Sequence, residues 1–291
     1  MNIGVLGPKG SYSEKAAKQW LAGRNNENDH SLEYFDDIQD VFSSLSSDSV
    51  DIGVVPLENS IEGSVGVSLD MLLEKDVAVI GETVVTIEHC LLSRGKKEDI
   101  KIILSHPQGL AQCRQFLKEH FEGVELRTTG STSHAAKLAT EFPEMAAIAS
   151  KEAARMYGLD ILIPNVQDRR QNHTRFFVIV PSEKKEHIES IIHANSEEHE
   201  YKTSIIVYLD RDRPGALYEI LAEFAQKSIN LTRIESRPSK EALGDYVFYI
   251  DFEGYINDAN IKGAIYNIES KVGMLKMLGS YPKFIPGPTS N

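Results

Sequence analysis

The chain has 291 residues, 41% hydrophobic and 25% charged, which is ordinary for a globular protein long enough to form two domains. Its formal net charge of −12 argues against nucleic acid and anionic membranes as partners. No apolar run approaches the ~20 residues of a membrane helix, and residues 1–7 lack the basic start of a signal peptide. Cys90 and Cys113 form no disulfide framework, so we expect reduced thiols and a cytoplasmic location.

The first segment combines a buried strand, predicted over residues 3–7, with a Gly/Ser turn and a helix over residues 14–22. Ser11 or Ser13 is suited to cap that helix. Glycines at positions 4, 7 and 10 follow G-x-x-G-x-x-G, which is not the dinucleotide fingerprint G-x-G-x-x-G. A turn of this kind still offers backbone N–H groups to an anion.

A polar cluster follows the strand predicted over residues 51–56. Glu58, Asn59, Ser60 and Ser64 place a carboxylate, an amide and hydroxyls at the strand's carboxyl end, where α/β folds hold their ligands. The alternative is a structural turn in which Asn59 and Ser60 bond their own backbone.

Further strands are predicted over residues 77–81, 83–92 and 100–104, and the last ends in the polar turn 105–108 before a helix that reaches about residue 120. His106 in this turn is a candidate proton carrier, although a single histidine before a helix is more often structural. Ser131 and Thr132 precede a helix over residues 135–140, and this helix end could hold a carboxylate. A strand over 146–150 and a helix over 151–157 follow.

The segment 172–176 leads into an apolar strand over 177–180 and closes the first domain. It supplies an amide, a hydroxyl and a fixed cation from Asn172, Thr174 and Arg175. Arginines at 169, 170 and 175 form a local positive site in an acidic chain, which favours an anionic small molecule. The alternative is a set of ion-paired surface groups.

The first domain therefore alternates strands and helices and is predicted to be α/β. Its polar turns follow separate strands, and turns from two facing lobes would enclose a cleft. Charge-rich residues 181–202 are predicted to be a linker with a helix over 188–193. Beyond it we predict strands at 203–209, 230–237, 246–252 and 274–281 and helices at 215–227 and 258–272, a ferredoxin-like βαββαβ order.

Five motifs resemble the catalytic domain of the prephenate dehydratase family: Gly7-Pro8-Lys9-Gly10-Ser11-Tyr12-Ser13, Val55-Pro56-Leu57-Glu58-Asn59-Ser60, Ser105-His106-Pro107-Gln108, Ala147-Ile148-Ala149-Ser150 and Asn172-His173-Thr174-Arg175-Phe176. The last unit resembles that family's ACT domain through residues 213–217 and 234–238. The resemblance implies a two-lobed, periplasmic-binding-protein-like catalytic domain over 1–181, a linker over 182–202, an ACT domain over 203–282 and a tail over 283–291. With no chorismate mutase segment before Met1, it implies the monofunctional form.

The implied reaction converts prephenate to phenylpyruvate, water and carbon dioxide without a metal or cofactor, because aromatisation drives it. The resemblance assigns the essential hydroxyl to Thr174, which we interpret as a hydrogen-bond donor to the leaving oxygen. Arg175 would grip the pyruvyl carboxylate as a bidentate fork, and Glu58 or His106 could supply a proton. The implied catalytic residues are Thr174, Arg175, Glu58, Asn59, Ser105 and Gln108, and the implied substrate-binding residues are Ser11, Ser13, Ser60, Thr132 and Phe176.

The ACT resemblance also implies feedback by L-phenylalanine, with ligands bound between paired units of a homodimer or homotetramer. The implied effector-binding residues are Gly215, Ala216, Leu217, Asn230, Leu231, Glu235, Ser236 and Arg237. The alternative is that these residues only shape a subunit interface. Two other functions stay open at this point: an arogenate dehydratase, and a non-enzymatic two-lobed ligand-binding protein.

Overall fold

The computed structural model describes residues 1–22, 30–169, 171–192, 200–209, 213–239 and 245–284. The chain folds into two compact units. The first unit contains Met1–Ser68 and Thr83–Phe176, and the second contains Leu69–Glu82 and Phe177–Asn291. The chain therefore passes between the units three times, once in front of Leu69, once after Glu82 and once after Phe176.

The first sheet has the strand order β2-β1-β3-β11-β5, with β4 paired to β3. Strand β1 pairs in parallel with both β2 and β3, so the carboxyl ends of these strands meet at one edge. The strands are β1 (Asn2–Leu6), β2 (Ser31–Phe35), β3 (Ile52–Asn59), β4 (Gly63–Ser64), β5 (Val77–Thr86) and β11 (His173–Pro181). The helices beside them are α1 (Tyr12–Leu21), α2 (Ile38–Ser46) and α3 (Gly66–Glu74).

The second sheet is also mixed, with the order β10-β6-β9-β7-β8. Its inner strands consist of continuous apolar runs because both faces are covered. Leu92, Leu104 and Ala147 pack in one core cluster, while their neighbours Leu91, Ile103 and Ile148 pack in another. The elements are β6 (Cys90–Ser93), β7 (Ile102–Ser105), α4 (Pro107–Gln112), α5 (Arg114–His120), β8 (Glu125–Thr128), α6 (Thr132–Leu138), β9 (Met145–Ala149), α7 (Lys151–Tyr157) and β10 (Asp160–Ile163), with a 3₁₀ turn at Lys97–Asp99.

The third sheet is antiparallel with the order β13-β14-β12-β15 and lies in the second compact unit. Helices α9 and α10 cover one face through a core that includes Phe224, Ile261 and Phe252. The elements are β12 (Tyr201–Tyr208), α9 (Ala216–Gln226), β13 (Leu231–Pro238), β14 (Tyr246–Glu253), α10 (Ala259–Glu269) and β15 (Met274–Pro282), preceded by a 3₁₀ turn at Ser182–Lys184 and α8 (Lys185–Ile192).

The second unit also includes the chain segment Leu69–Glu82, which comprises most of α3 and the first part of β5. The Tyr249 hydroxyl donates to the carbonyl of Leu69 at 2.8 Å, and Lys276 Nζ lies 2.9 Å from the carbonyl oxygen of Leu72. Gly279 approaches the backbone so closely that a Cβ would sit 2.2 Å from the carbonyl oxygen of Val79, and its φ of +156° also favours glycine.

The α/β class and the βαββαβ unit predicted from the sequence are both confirmed. The structure corrects several element bounds. Predicted strands 77–81 and 83–92 are one strand, β5, followed by the separate β6, and β3 continues through Glu58 and Asn59 instead of ending at Pro56. The helix predicted from the 105–113 turn to about residue 120 breaks at Cys113 into α4 and α5, and the helix expected at 188–193 begins at Lys185. Residue 193, the arginine at 170 and tail residues 285–291 lie outside the described residues.

Candidate active site

A cavity of about 300 Å³ in the first compact unit collects most of the polar side chains that the sequence singles out. Asn59 and Thr174 form part of its wall, and apolar surface comes from Pro56, Ile87 and Phe176. Of the other predicted residues, Ser11, Ser13, Gln108 and Thr132 also line it. A space of this size suits a small molecule, and its wall mixes apolar surface with a few convergent polar groups.

Strand alternation decides which side chains of β11 reach the cavity. Thr174 and Phe176 line it, whereas Arg175 between them does not, as expected because successive side chains point to opposite faces of a strand. Arg175 is 8% exposed, and its Nη1 lies 3.3 Å from Glu58 Oε1. Glu58 also lies outside the cavity wall of the described chain, next to Asn59 on β3. The structure thus pairs these two predicted residues with each other.

The side-chain amide of Asn59 organises the carboxyl end of β3. Its Nδ2 donates to Thr174 Oγ1 at 2.9 Å and to Asn172 Oδ1 at 2.7 Å. Its Oδ1 accepts from the backbone N–H groups of Ile61 and Glu62 at 3.0 and 3.1 Å. Asn59 therefore caps its own turn and also contacts the predicted catalytic hydroxyl. Because Thr174 Oγ1 accepts a hydrogen bond from Asn59, its own hydrogen can be donated to a ligand oxygen.

Three helix N-termini contribute their capping residues to the cavity wall. Ser11 caps α1 by accepting from the N–H of Glu14 at 3.3 Å, and Ser131 caps α6 by accepting from the N–H of His134 at 3.0 Å. His106 caps α4 through Nδ1, which accepts from the N–H of Gln108 at 3.3 Å. Helix N-termini carry partial positive charge, so their convergence favours a negatively charged ligand.

Ser105 and Ser60 lie outside the cavity wall of the described chain and hold backbone in place. The Ser105 hydroxyl is buried and donates to the carbonyl of Ile148 at 2.7 Å, which ties β7 to β9. Gly109 packs so tightly over this hydroxyl that a Cβ would come within 2.4 Å of it. Ser60 Oγ accepts from the N–H of His173 at 3.0 Å and so connects the end of β3 to the start of β11.

His89 and Gln112 are among the buried side chains of the cavity wall that sequence reasoning missed. Gln112 Oε1 lies 3.0 Å from His89 Nε2 and 2.9 Å from Asn172 Nδ2, which joins both residues to the Asn59 and Thr174 network. Burial lowers the pKa of His89, against a smaller opposing effect of its contact with Gln112. The signal for Gln112 is its spacing of four from Gln108, which places both amides on one side of α4. His89 lies within a predicted strand and carries no comparable signal.

Tyr12 was also missed as a member of the cavity wall. Its hydroxyl donates to the carbonyl of Glu88 at 2.6 Å. Burial raises the pKa of this phenol well above its ordinary value, so the group stays protonated at neutral pH. The ring thus serves as a wall and its hydroxyl as a tether to the segment before His89.

The predicted effector residues all lie in the second compact unit. Gly215 has a φ of +87° directly before α9, which begins with Ala216 and Leu217. Glu235, Ser236 and Arg237 lie near the end of β13, where exposure alternates along the strand. Arg237 Nη2 lies 3.4 Å from Asp70 Oδ1 on α3, and Asn230 donates to Glu253 Oε2 at 3.0 Å.

The described part of the chain offers neither a metal centre nor a membrane helix. No group of three or more His, Cys, Asp or Glu side chains among these residues is placed to hold a metal ion. No described helix is long and apolar enough to cross a membrane.

Mixed α/β sheets, a small cavity with three helix N-termini in its wall and a C-terminal βαββαβ unit define an α/β protein with a polar-lined cavity and a ferredoxin-like third sheet. Residues 3–184 match the family model described as prephenate dehydratase, and residues 203–270 match the model described as ACT domain. The chain belongs to the prephenate dehydratase family and carries a C-terminal ACT domain, so the resemblance found in the sequence is confirmed.

Similar proteins align with nearly the whole length of this chain. The prephenate dehydratase of Methanocaldococcus jannaschii is 43% identical over 95% of this chain and 96% of its own. A crystal structure of prephenate dehydratase in complex with L-Phe, from Arthrobacter aurescens, is 30% identical, covers 97% of this chain and 90% of that one, and gives a TM-score of 0.82. Arogenate dehydratase 2 of Petunia hybrida is 36% identical over 97% of this chain and 72% of its own.

Proposed function

We propose that this protein, a prephenate dehydratase by family, converts prephenate to phenylpyruvate, water and carbon dioxide in the cavity of its first compact unit. The observation that carries the proposal is the hydrogen bond from Asn59 Nδ2 to Thr174 Oγ1, 2.9 Å long, in the wall of a cavity bordered by three helix N-termini. This arrangement combines an oriented hydroxyl with a site for carboxylates, which are the two elements that the reaction needs.

In the reaction, the bond between the ring and the departing carboxylate breaks and its electron pair enters the ring. The bond between the ring and its hydroxyl oxygen breaks at the opposite side, and that oxygen leaves with its electron pair and takes up one proton to form water. Thr174 donates a hydrogen bond to the leaving oxygen, where negative charge develops, so it stabilises the transition state more than the bound substrate. The proton comes from His106 or from water in the cavity.

The two carboxylates of the substrate bind to different parts of the cavity wall, one polar and one apolar. The N-termini of α1, α4 and α6 offer N–H groups and partial positive charge to the carboxylate that the product keeps. The departing carboxylate faces apolar wall such as Phe176 and Ile87, since firm pairing of its charge would oppose its loss as carbon dioxide. Ser11, Ser13, Gln108 and Thr132 orient the substrate between these parts.

Roles for Arg175, Glu58, Ser105 and Ser60 stay predictions. Arg175 can bind the pyruvyl carboxylate if substrate binding exchanges its contact with Glu58 for a bidentate one. A partly buried ion pair next to Asn59 and Thr174 in sequence also fixes the relative position of β3 and β11 when it stays intact. Ser105 and Ser60 support the site through the backbone bonds that they make.

We extend the proposal to regulation. L-phenylalanine as a ligand is supported by the L-Phe complex of the similar Arthrobacter aurescens protein. We propose that it binds at the ACT domain through the groups 215–217, 230–231 and 235–237. We propose domain bounds of 1–181 for catalysis, 182–202 for the linker, 203–282 for the ACT domain and 283–291 for the tail. Pairing of ACT sheets would make a homodimer or homotetramer. The two buried free cysteines support a reducing, cytoplasmic location.

Arogenate is the second candidate substrate, because one similar protein over nearly the whole chain is an arogenate dehydratase. Arogenate carries an amine where prephenate has a ketone. The helix N-termini in the cavity wall favour the ketone, whereas the carboxylate of Asp36 in the same wall favours the amine, so a comparison of the two substrates decides between them.

The test is product formation by the purified full chain from each substrate, with and without L-phenylalanine. We expect a higher kcat/KM on prephenate and less turnover when L-phenylalanine is present. A higher kcat/KM on arogenate would reverse the substrate assignment, and turnover that L-phenylalanine leaves unchanged would contradict the effector assignment. No turnover on either substrate would favour a ligand-binding protein.

A further inference from the structure

In the cavity wall, the side-chain carbonyl of Gln112 accepts hydrogen bonds from two buried donors. His89 Nε2 lies 3.0 Å from Gln112 Oε1, and Asn172 Nδ2 lies 2.9 Å from the same oxygen. An amide oxygen has two lone pairs, so these two contacts occupy it fully. The part of Gln112 that can serve a ligand in the cavity is therefore its NH₂ group, which has a long contact of 3.5 Å with Glu62 Oε1.

His89 is held in a single orientation. Its side chain is 3% exposed, its backbone N–H donates to Gln167 Oε1 at 2.9 Å, and its carbonyl accepts from the N–H of Val166 at 2.8 Å. The ring stands edge-on to Tyr12, with 6.1 Å between the ring centroids. Such fixation on several sides suits a group that must orient another side chain.

The protonation of the ring follows from its neighbours. Burial lowers the pKa of His89, so the neutral form dominates at pH 7. A neutral imidazole carries one N–H, and the nitrogen that faces the Gln112 carbonyl must be the one that carries it. Nδ1 is then an acceptor, and it is buried without a hydrogen-bond partner among the described residues. Among the described residues, the bond from Nε2 to Gln112 is therefore the hydrogen bond that the ring makes.

We propose that His89 is a positioning residue for the dehydratase reaction. Its Nε2–H fixes the amide of Gln112 so that the NH₂ group of that amide faces the cavity and donates to an oxygen of the bound substrate. Without this donor, only Asn172 Nδ2 still holds the Gln112 oxygen, so the half-turned amide, which presents an acceptor to the substrate in place of a donor, becomes more populated. The inference rests on the proposed function, because the Gln112 NH₂ group is inferred to donate to an oxygen of bound prephenate.

The experiment is a double-mutant cycle on kcat/KM for prephenate in the full-length protein. His89→Leu and His89→Met remove the donor at similar volume, whereas His89→Gln keeps an N–H near the position of Nε2. We expect His89→Leu and His89→Met to lower kcat/KM by about 10- to 100-fold, since misplacement of a contact group has effects of that size. His89→Gln should recover most of the loss. In a Gln112→Leu background, His89→Leu should have little further effect, because the two residues act as one unit.

Thermal unfolding of every variant separates positioning from a structural role. Ser93→Ala is the matched control, because Ser93 is fully buried in the same unit and donates to the carbonyl of Met145 at 2.7 Å, outside the cavity wall. It should lower the melting temperature and leave kcat/KM unchanged. Equal losses from His89→Leu in both backgrounds, or unchanged kcat/KM in His89→Leu or His89→Met, would overturn the inference. A native chain inactive on both substrates would instead overturn the proposed function.

Discussion

The hydroxyl of Thr174 is far too weak an acid to lose its proton at neutral pH, so its use depends on where its hydrogen points. The contact from Asn59 Nδ2 at 2.9 Å occupies the acceptor side of this oxygen. A residue of β11 whose side chain lines the cavity thereby acquires a fixed donor direction. The amide and the hydroxyl are thus one hydrogen-bonded pair, formed by residues 115 positions apart in the chain.

Substitution of Thr174 tests this directional role. Thr174→Val keeps the shape and removes the donor, and we expect kcat to fall by about 10²–10³-fold, the usual cost of one lost transition-state donor, with little change in KM. Thr174→Ser keeps the donor and should retain much of the turnover. Steady-state kinetics with a melting curve for each variant give the answer, and near-normal kcat in Thr174→Val would remove this hydroxyl from the mechanism.

Among the elements, helix α3 follows β3 and β4 in the chain and leads from the first compact unit into the second. It begins with Gly66, two residues after β4, which pairs with Glu58 and Asn59. Its later residues belong to the second unit, where Tyr249 donates to the Leu69 carbonyl and Lys276 lies against the carbonyls at the end of the helix. Arg237, one of the proposed effector residues, contacts Asp70 on this helix at 3.4 Å.

The Arg237–Asp70 pair makes α3 a candidate route for inhibition. Asp70→Asn should leave turnover without effector unchanged and weaken inhibition by L-phenylalanine, by about fivefold in the half-inhibitory concentration if the pair contributes about 1 kcal/mol to the coupling. Glu74→Gln is the matched control, because it removes the same charge from an exposed position of the same helix. Inhibition curves that coincide for Asp70→Asn and the unsubstituted protein would show that this pair carries no coupling.

Local sequence patterns predicted most helices and strands, but they missed several element bounds and some short strands. Residues 151–157 are a helix with the predicted bounds, and Gly158 ends it with a φ of +62°, because capping residues and periodicity act within one turn. Strands of four residues without a buried side chain, such as β8 and β10, escaped prediction because so short an exposed segment gives little periodic signal. At the site, Asn59 and Thr174 were predicted, whereas His89 was not, because only its tertiary contact with Gln112 distinguishes it from a core residue.

For the whole molecule, the second compact unit includes chain from two separate regions. Leu69, Leu72 and Val79 are fully buried and belong to this unit although they precede β12 by more than a hundred residues. The third sheet contacts the backbone of all three residues. The two compact units are therefore not separable at one point of the chain.

Removal of residues 203–291 should consequently do more than abolish the response to L-phenylalanine. It would expose apolar side chains of Leu69–Glu82 at about 1.5–3 kcal/mol for each fully uncovered residue, so we expect a lower melting temperature and reduced turnover together. Calorimetry and prephenate assays on the truncated and full chains measure this. A truncated protein that melts like the full chain and turns over at the same rate, without inhibition, would contradict it.

The segment Leu69–Glu82 also limits the transfer of the ACT domain to another enzyme. A cassette of residues 203–282 transplanted onto another enzyme would bring Tyr249, Lys276 and Gly279 without the backbone of Leu69–Val79 that they contact. The host enzyme would have to supply a helix and a strand in the same place. The close approach of Gly279 to the carbonyl of Val79 leaves little room for a different position of that strand. For feedback control to be retained, α3 and the sheet of residues 203–282 must therefore change together, although they lie far apart in the chain.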